Sequence, residues 1–516
     1  MNALFRLFSR FSPKKEKPSV RKGLSAELKK KKEIQEAIGQ LERREVKTVD
    51  RELLSGRRID YAAALNEEQL RALTSIDGKY LVIAGAGSGK TRTIVYRTAL
   101  LLESGVAPEQ ILMITFTRKA AAEMQSRIEE LLGRREKHLT VSTFHAFCLR
   151  NILRYRDYFQ MEDMRILEEN EKRKILDGFR KEFHRKRIPK IPFPSVDRLL
   201  EILAAEALKG IPWEHVLTEG EKRYREEILR VREAWFRYKK ENKRLELDDL
   251  LPLFTEGLTK NKNFRNLLRE KYKYIVVDEY QDSNLDQRRL LMELTGENGN
   301  LMVVGDDYQS IYGFRGAHVE NILRFSQDFP GSALIRLETN YRSTNEIIAW
   351  CNEISSRFAL GYRKMIRGTG KSGKKPRVFS FRTKEDEAAY IAEKIKELRR
   401  GGTPWEEMAV LCRNRYAAAP VESALRREAI PFYQKNAAAE PDEGVREETS
   451  GKVALFTVHS SKGLEWDVVF LPLMLDGVFP STITKDGLEE EKRLYYVACS
   501  RAKKLLILTR PDYFYE

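Results

Sequence analysis

Glycine, lysine and hydroxyl side chains stand close together in the segment AGAGSGKT, residues 84–91. The segment follows the apolar run LVIA and precedes the helical pattern TIVYRTALLLE, so it is predicted to be a phosphate-binding loop between a strand and a helix. Its glycines would let backbone N–H groups face phosphate oxygens. Lys90 would reach the β- and γ-phosphates, and the Thr91 hydroxyl would bind Mg²⁺. A chance glycine-rich turn is the alternative.

Two adjacent carboxylates end the apolar run YIVVDEYQD, residues 274–282. Asp278, at the predicted strand end, suits a carboxylate linked to Mg²⁺ beside the phosphate loop. Glu279 is then placed to activate an attacking water molecule. Taken alone, two acids after a strand are more often a charged surface turn. Together with the phosphate loop, they predict nucleotide hydrolysis.

A third apolar run and a polar loop follow in LMVVGDDYQSIYGFRGA, residues 301–317. Gln309 could sense the γ-phosphate or position water. Tyr312 and Phe314 could stack on exposed nucleic-acid bases, a contact that tolerates any base sequence and is worth about 1–3 kcal/mol per base. The alternative is that both rings belong to the hydrophobic core.

The composition of the 516 residues favours a polyanionic partner. The formal net charge is +17, and residues 1–60 hold seventeen Lys and Arg against nine Asp and Glu. This excess favours nucleic acid, although a merely soluble basic protein fits the charge equally well. Four widely spaced cysteines argue against a disulfide framework or a zinc site and favour the reducing cytoplasm. No apolar run approaches the roughly 20 residues of a membrane span.

Short apolar runs alternate with amphipathic helical stretches, which predicts an α/β fold with parallel sheets. A charged stretch without strands interrupts the first α/β unit and is interpreted as a helical insertion. Residues 364–376, rich in Gly and Lys, are predicted to form a surface loop. The predicted domains are a basic arm at 1–60, partly helical or disordered, a first α/β domain at 61–150 and 245–335, a helical insertion at 151–244, and a second α/β domain at 336–516.

The basic arm has one helical pattern, with Ile34, Ile38 and Leu41 at helical spacing. A solvated, partly helical arm that tethers DNA or contacts a protein partner is one interpretation. A tail that only increases solubility is equally consistent with the sequence.

Ten segments resemble, in order, the motifs of superfamily 1 DNA helicases of the UvrD/Rep/PcrA type. They are LNEEQ (65–69), AGAGSGKT (84–91), ITFTRKAAAEM (114–124), STFHAFC (142–148), ELDDLL (246–251), VVDEYQD (276–282), VVGDDYQSIYGFRGA (303–317), LETNYRST (337–344), FTVHSSKGLEWDVVFLP (456–472) and RLYYVACSRAKKLLIL (493–508). The match runs from about Tyr61 to the C-terminus, and the ordered set makes coincidence negligible.

The resemblance implies two RecA-like motor domains that bind ATP and Mg²⁺, with a 1B-like insertion in the first. The implied nucleotide-binding residues are Gln69, Gly85, Gly87, Ser88, Gly89, Lys90, Thr91, Arg92, Tyr341 and Glu465, and the implied metal ligands are Thr91 and Asp278. The implied catalytic residues are Glu279, Gln309 and the arginine fingers Arg342 and Arg501. The implied DNA track is lined by Phe116, Arg118, Thr143, His145, Tyr312, Phe314 and His459. Within this set, the resemblance implies that Gln69 hydrogen-bonds the adenine, that Tyr341 stacks on it beside Arg92, and that Glu465 binds the ribose. Asp249 is expected to buttress the site.

The function implied by the resemblance is ATP-dependent 3′–5′ translocation on single-stranded DNA and unwinding of duplex DNA in repair or replication. The expected partners are single-stranded DNA and junctions of single- and double-stranded DNA, and the protein is expected to be a cytoplasmic monomer. One alternative is a remodeller that translocates and displaces bound proteins without unwinding. The other, a scaffold with a dead site, is opposed by the intact acids and arginines.

The sequence departs from the family pattern in four ways. Phe314 replaces the usual Trp, Arg118 stands where Asn is common, and Tyr308 replaces an Asp for a reason that the sequence does not explain. The fourth departure is architectural, because only about forty residues separate Arg415 from Phe456. A short polar loop, residues 433–451, is therefore expected where the family has the 2B subdomain.

Overall fold

Parallel strands and their connecting helices make up most of the chain. The computed structural model describes residues 21–159, 164–184, 188, 191–209, 212–434, 449–481 and 485–512. The strands up to residue 340 are β1 (Lys79–Ala84), β2 (Ile111–Thr115), β3 (Thr140–Thr143), β4 (Arg165–Ile166), β5 (Arg244–Leu245), β6 (Tyr274–Val277), β7 (Asn300–Gly305), β8 (Ala333–Leu337) and β9 (Thr339–Asn340). The later strands are β10 (Arg367–Gly368), β11 (Arg377–Phe381), β12 (Met408–Cys412), β13 (Phe432–Tyr433), β14 (Val453–Thr457), β15 (Trp466–Leu471) and β16 (Ala502–Pro511).

The α-helices lie between these strands and before the first of them. They are α1 (Arg21–Glu42), α2 (Tyr61–Ala64), α3 (Glu67–Thr74), α4 (Lys90–Glu103), α5 (Arg118–Leu132), α6 (Phe144–Arg154), α7 (Glu169–Phe183), α8 (Val196–Lys209), α9 (Arg225–Glu241), α10 (Leu250–Lys260), α11 (Lys262–Lys271), α12 (Leu285–Thr295), α13 (Val319–Leu323), α14 (Phe325–Asp328), α15 (Asn345–Ser355), α16 (Lys384–Arg400), α17 (Arg415–Arg427) and α18 (Lys485–Cys499). Short 3₁₀ helices lie at Glu52–Leu54, Pro108–Gln110, Arg156–Tyr158, Trp213–Val216, Glu221–Tyr224, Leu247–Asp249, Tyr280–Asp282, Asp307–Gln309, Gly313–Arg315, Trp405–Glu407 and His459–Ser461.

Six parallel strands form the first sheet, in the order β3-β2-β6-β7-β1-β8. Successive residues of β1, such as Leu81 and Val82, belong to separate buried clusters on the two faces, because helices cover both sides of a parallel sheet. The carboxyl ends of the strands lie at one edge. The loops after β1, β6 and β7 therefore meet there, beside the loops after β2 and β3. Most candidate motifs of the first domain follow these strands, whereas LNEEQ precedes β1 and ELDDLL follows β5.

The second sheet also has six parallel strands, in the order β11-β16-β15-β12-β14-β13. Its two faces pack into two further buried clusters, one with α15 and α18 and the other with α16 and α17. The α/β fold with parallel sheets in two domains, expected from the sequence, is confirmed. The described helices between Glu169 and Glu241 pack around a core of their own that includes Leu176, Trp213 and Trp235, and β4 pairs with β5 at its base.

The solvated arm expected at the N-terminus is wrong for residues 34–46. Helix α1 forms, and the side chains of Ile34, Ile38 and Leu41 are buried in the core of the first domain. The segment after the helix continues along the edge strand β8, where the Val46 N–H donates to the Leu334 carbonyl (2.8 Å). The apolar stripe is buried because it covers an otherwise exposed sheet edge. Residues 1–20 of the expected arm lie outside the described residues.

The surface loop expected at 364–376 is wrong for its first residues. The Lys364 side chain is 1% exposed, Ile366 is buried, and Arg367–Gly368 pairs with β9. Met365 and Arg367 are exposed, and residues 369–375 are exposed as expected. The loop expected at 433–451 falls mostly on 435–448, which lie outside the described residues.

None of the described helices is long and apolar enough to cross a membrane. All four cysteines are buried free thiols, and the described residues contain no cluster of three or more His, Cys, Asp and Glu side chains that could hold a metal ion.

A buried carboxyl group in the second domain makes its stability depend on pH. Glu387, on α16, is fully buried and accepts a hydrogen bond from the Leu473 N–H (2.9 Å). Burial raises the pKa of its carboxyl group to about 7, although the Leu473 N–H and the Thr509 hydroxyl oppose the rise. Since this pKa is higher in the folded than in the unfolded state, the associated stability is present below the unfolded pKa and is lost as the pH rises through the folded value.

We expect Glu387→Gln to stabilise the second domain at about pH 8 and to flatten the dependence of Tm on pH between about 5 and 8, because the neutral amide keeps the acceptor oxygen. Thermal unfolding at a series of pH values measures this effect. The control is Glu393→Gln, which changes an exposed carboxylate on the same helix and should keep the wild-type slope. A wild-type slope in Glu387→Gln would contradict the prediction.

Candidate functional site

The segment after β1 forms a tight loop that ends at the N-terminus of α4. Gly87 and Gly89 have φ values of 70° and 79°, in the left-handed region that favours glycine. A Cβ atom on Gly89 would lie 2.7 Å from Gln69 Nε2, which itself donates to the Ser88 carbonyl (3.1 Å). The loop therefore requires glycine at these positions, and the Gln69 side chain packs against it. Lys90 begins the helix and lies 3.4 Å from a carboxylate oxygen of Glu279.

Asp278 and Glu279 follow β6 directly, and the pKa values of their carboxyl groups are shifted in opposite directions. Burial raises the pKa of Asp278, and the Glu279 charge adds to the rise. Burial alone would raise the pKa of Glu279, but the ammonium groups of Lys90 and Lys462 outweigh it and lower that pKa. Glu279 is therefore held as an ionised carboxylate at neutral pH. Its φ of 53° is unusual for a non-glycine residue, and such strain clusters at functional sites.

Gln309 connects the two domains. Its side-chain Nε2 donates to Asp306 Oδ2 (2.7 Å), and its Oε1 accepts from Arg501 Nη2 (3.1 Å). Arg501 follows α18 of the second domain and is 2% exposed. Burial lowers the pKa of its guanidinium to about 10, and the Arg342 charge adds to this, so Arg501 stays charged at neutral pH.

Lys462 makes a second connection, which the sequence reasoning did not assign. It comes from the second domain, binds the Asp282 carboxylate and donates to the Gln309 carbonyl (2.8 Å). Asp282 is buried, which raises its pKa to about 6 against the lowering effect of Lys462. Both residues lie inside quoted motifs, VVDEYQD and HSSKGLE, so motif membership was the available signal.

Arg342 and Glu465 form an ion pair within the second domain. Arg342 Nη1 also donates to the Ser500 carbonyl (3.2 Å), next to Arg501. A Cβ atom on Gly87 would lie 2.7 Å from Arg342 Cβ, so this arginine passes directly over the phosphate loop. The structure thus brings Arg342 to the phosphate loop, whereas Arg501 contacts Gln309 in the loop after β7. Glu465, expected on the ribose, here holds Arg342.

Tyr341 and Arg92, the residues expected beside the base, both lie next to the phosphate loop. Tyr341 is 42% exposed, and its hydroxyl accepts a hydrogen bond from Asn66 Nδ2 (2.7 Å). Arg92 stands over the Tyr96 ring at 4.9 Å and donates to the Ala64 carbonyl (3.1 Å). An exposed ring and a guanidinium at this position could flank a planar base.

The arrangement fits a nucleoside triphosphate with Mg²⁺. The glycines leave no room for Cβ atoms, and the Ser88 hydroxyl is buried without a hydrogen-bond partner among the described residues. Thr91 and Asp278 supply the oxygen ligands that Mg²⁺ prefers, and Mg²⁺ commonly needs only one or two protein carboxylates when phosphates complete its shell.

Three of the expected DNA contacts form one aromatic group across the domain boundary. The Tyr312 hydroxyl donates to the His459 carbonyl (3.3 Å), and the Phe314 ring meets the His459 ring edge-on at 5.2 Å. Phe314 is 50% exposed, so it is not a core residue, whereas Tyr312 is partly buried. The Lys462 ammonium lies 4.9 Å from the Tyr312 ring and joins this group to the nucleotide side.

The other expected DNA contacts follow β2 and β3. Phe116 packs edge-on against Phe144, Arg118 is exposed at the start of α5, and the Thr143 hydroxyl caps α6. Burial lowers the pKa of His145, against the opposing charge of Asp248. Because the carboxyl ends of the parallel strands all lie at one edge of the sheet, these side chains lie at the same edge as the phosphate loop.

Tyr308, the unexplained departure, is a buried residue of the domain boundary. Its hydroxyl donates to the Tyr362 carbonyl (2.9 Å), and its ring packs against Phe358 and Tyr496. An Asp could not fill this aromatic position.

The expectation that Asp249 buttresses the site is wrong. Its carboxylate binds Lys239 Nζ (2.8 Å) and accepts from the Glu246 N–H (2.7 Å). It therefore braces the junction between α9 of the insertion and the first domain.

Comparison with known proteins identifies relatives over most of the chain. A family model described as the UvrD/REP helicase N-terminal domain matches residues 65–330, and one described as the UvrD-like helicase C-terminal domain matches 335–439 and 434–512. The ATP-dependent DNA helicase PcrA of Staphylococcus epidermidis is 34% identical over 373 residues, which are 71% of this chain and 50% of that protein. PcrA of Staphylococcus aureus is 32% identical over the same shares. The chain thus spans about half the length of the curated relatives it matches.

Proposed function

The chain belongs to the UvrD/Rep family of superfamily 1 helicases, and from this premise we propose that it is an ATP-driven motor that translocates 3′–5′ along single-stranded DNA. The observation that carries the proposal is the contact between Gln309 and Arg501. This contact joins a buried cation of the second domain to the loop after β7 of the first, and ATP hydrolysis between two motor domains requires such a cation from the facing domain.

In the proposed reaction, the phosphate loop and Lys90 hold the triphosphate, and Glu279 accepts a proton from the attacking water. The lowered pKa of Glu279 keeps it ionised for this role. Thr91 and Asp278 would hold Mg²⁺, which neutralises phosphate charge when bound. Arg342 and Arg501 stabilise the charge that spreads over the transferred phosphoryl group.

ATP hydrolysis would move DNA because the same residues contact both the candidate nucleotide site and the aromatic group that is expected to bind DNA. Lys462 contacts Asp282, Gln309 and the Tyr312 ring, so a change in domain closure shifts the aromatic group as well. Aromatic stacking and phosphate contacts tolerate any base sequence, which suits a motor that must pass along every sequence. We propose that Phe116, Arg118, Thr143 and His145 continue the track on the first domain.

We also propose that the chain lacks a 2B subdomain. Strands β13 and β14 are neighbours in the second sheet, and only nineteen residues, 434–452, separate them. Such a connection supports a loop, not a subdomain. Duplex unwinding would then depend on other elements, and a remodeller that displaces proteins without unwinding is the second candidate function.

We expect Glu279→Gln to lower the kcat of ATP hydrolysis stimulated by single-stranded DNA by about 100-fold or more, since a general base contributes about 10²–10⁴. Steady-state hydrolysis with and without a single-stranded oligonucleotide measures this. The exposed Glu297→Gln, on the same domain, is the control and should match the wild type.

Absence of DNA-stimulated hydrolysis in the wild type would overturn the motor proposal. Displacement of a strand from a duplex with a 3′ tail would favour the helicase. Displacement of a bound protein from DNA without strand separation would favour the remodeller.

Phe314 offers a graded test of the DNA track. We expect single-stranded DNA affinity to decrease in the order Phe314→Trp, wild type, Phe314→Leu, because stacking area decreases, with the Leu variant weaker by about 1–3 kcal/mol. Fluorescence anisotropy with a labelled oligonucleotide at several salt concentrations measures this. The salt dependence should be the same in all three proteins, since no charge changes. Equal affinities would place Phe314 outside the track.

A further inference from the structure

Residues 360–368, the hinge segment, belong to the second domain and pack against the first. The segment follows α15 of the second domain, and its Tyr362 side chain enters the first-domain core, where the hydroxyl donates to the Ile322 carbonyl (3.3 Å). Ile366 reaches the phosphate loop so closely that a Cβ atom on Gly85 would lie 2.0 Å from its Cδ1. The segment therefore touches the candidate nucleotide site.

Lys364 of the hinge segment is enclosed by three consecutive residues of the first domain. Its ammonium binds the Asp306 carboxylate, donates to Asp307 Oδ1 (2.7 Å) and lies 3.7 Å from the centre of the Tyr308 ring. All three ionic side chains are at most 1% exposed. Burial alone would lower the pKa of Lys364, but the two aspartates outweigh it and raise that pKa.

Asp306 links Lys364 to Gln309, which lies at the proposed site of ATP hydrolysis. One of its oxygens faces Lys364, and the other accepts from Gln309 Nε2 (2.7 Å). A Gln side chain has one donor end and one acceptor end, so fixing Nε2 on Asp306 turns Oε1 towards Arg501. The Asp306 N–H also donates to Gln281 Oε1 (2.9 Å), and Gln281 in turn donates to Glu279.

We propose that Lys364 is a positioning residue for ATP hydrolysis, which holds Asp306 in place and through it orients Gln309 towards Arg501. The inference rests on the proposed function and adds to it that the hinge segment itself holds the catalytic contact. Lys364 touches neither ATP nor the reacting atoms. It acts through the arrangement that stabilises charge in the transition state.

Removal of the Lys364 charge would leave two adjacent buried carboxylates that repel each other. Asp306 would move away from Asp307, and Gln309 would lose its fixed orientation. Nucleotide binding in the ground state would change little, because Lys90 and the phosphate loop hold the phosphates.

The test uses Lys364→Met and the double variant Lys364→Met, Asp307→Asn, in the full chain. In both, we expect kcat for DNA-stimulated ATP hydrolysis to fall by about 10- to 100-fold, as for a misplaced catalytic group, with KM for ATP within about threefold of the wild type. Affinity for ADP with aluminium fluoride, which resembles the transition state, should fall, while affinity for ADP alone should not.

The double variant separates positioning from stability. It restores the net charge of the cluster, so Tm should return towards the wild-type value while kcat stays low. The matched control is Lys239→Met, which also removes a buried lysine between two carboxylates, those of Glu246 and Asp249, and should keep the wild-type kcat.

Recovery of kcat together with Tm in the double variant would overturn the inference, because Lys364 would then serve stability alone. A wild-type kcat in Lys364→Met would also overturn it. Failure of the proposed function is distinct, since the wild type itself would then show no DNA-stimulated hydrolysis.

Discussion

The hydrogen bond between Gln309 and Arg501 is the contact on which the site depends, because the two residues belong to different domains. Neither domain alone has both a phosphate loop and arginines to face it. Lys462 reinforces the contact from the second domain by binding Asp282. The proposed hydrolysis would therefore depend on how the domains meet, as a motor that converts phosphate chemistry into relative movement requires.

The chain maintains this contact by pairing the charges that it buries. An unpaired buried ion costs several kcal/mol, whereas a paired and hydrogen-bonded ion keeps its charge and a defined direction. Lys364 neutralises acids in the loop after β7, and Lys462 neutralises Asp282 in the loop after β6. The low dielectric around these pairs strengthens each interaction and makes the geometry sensitive to the loss of any one charge.

Two departures from the family pattern acquire a physical reason from their surroundings. Tyr308 fills an aromatic position between the domains and covers the Lys364 ammonium, which a third carboxylate could not do without adding buried negative charge. Phe314 keeps an exposed ring against His459, so a smaller aromatic residue still offers a stacking surface.

The sequence alone determined the fold class and the motifs around the phosphates, because strand periodicity and glycine spacing are local properties of the chain. It indicated the stripe of Ile34, Ile38 and Leu41, but not that the stripe covers an edge of the first sheet. Lys364 lay in a segment rich in Gly and Lys that local composition marks as a surface loop. Its buried partners are more than fifty residues away in sequence, and only the tertiary structure brings them together. Burial of a charge depends on such distant partners, so no local pattern could have predicted it.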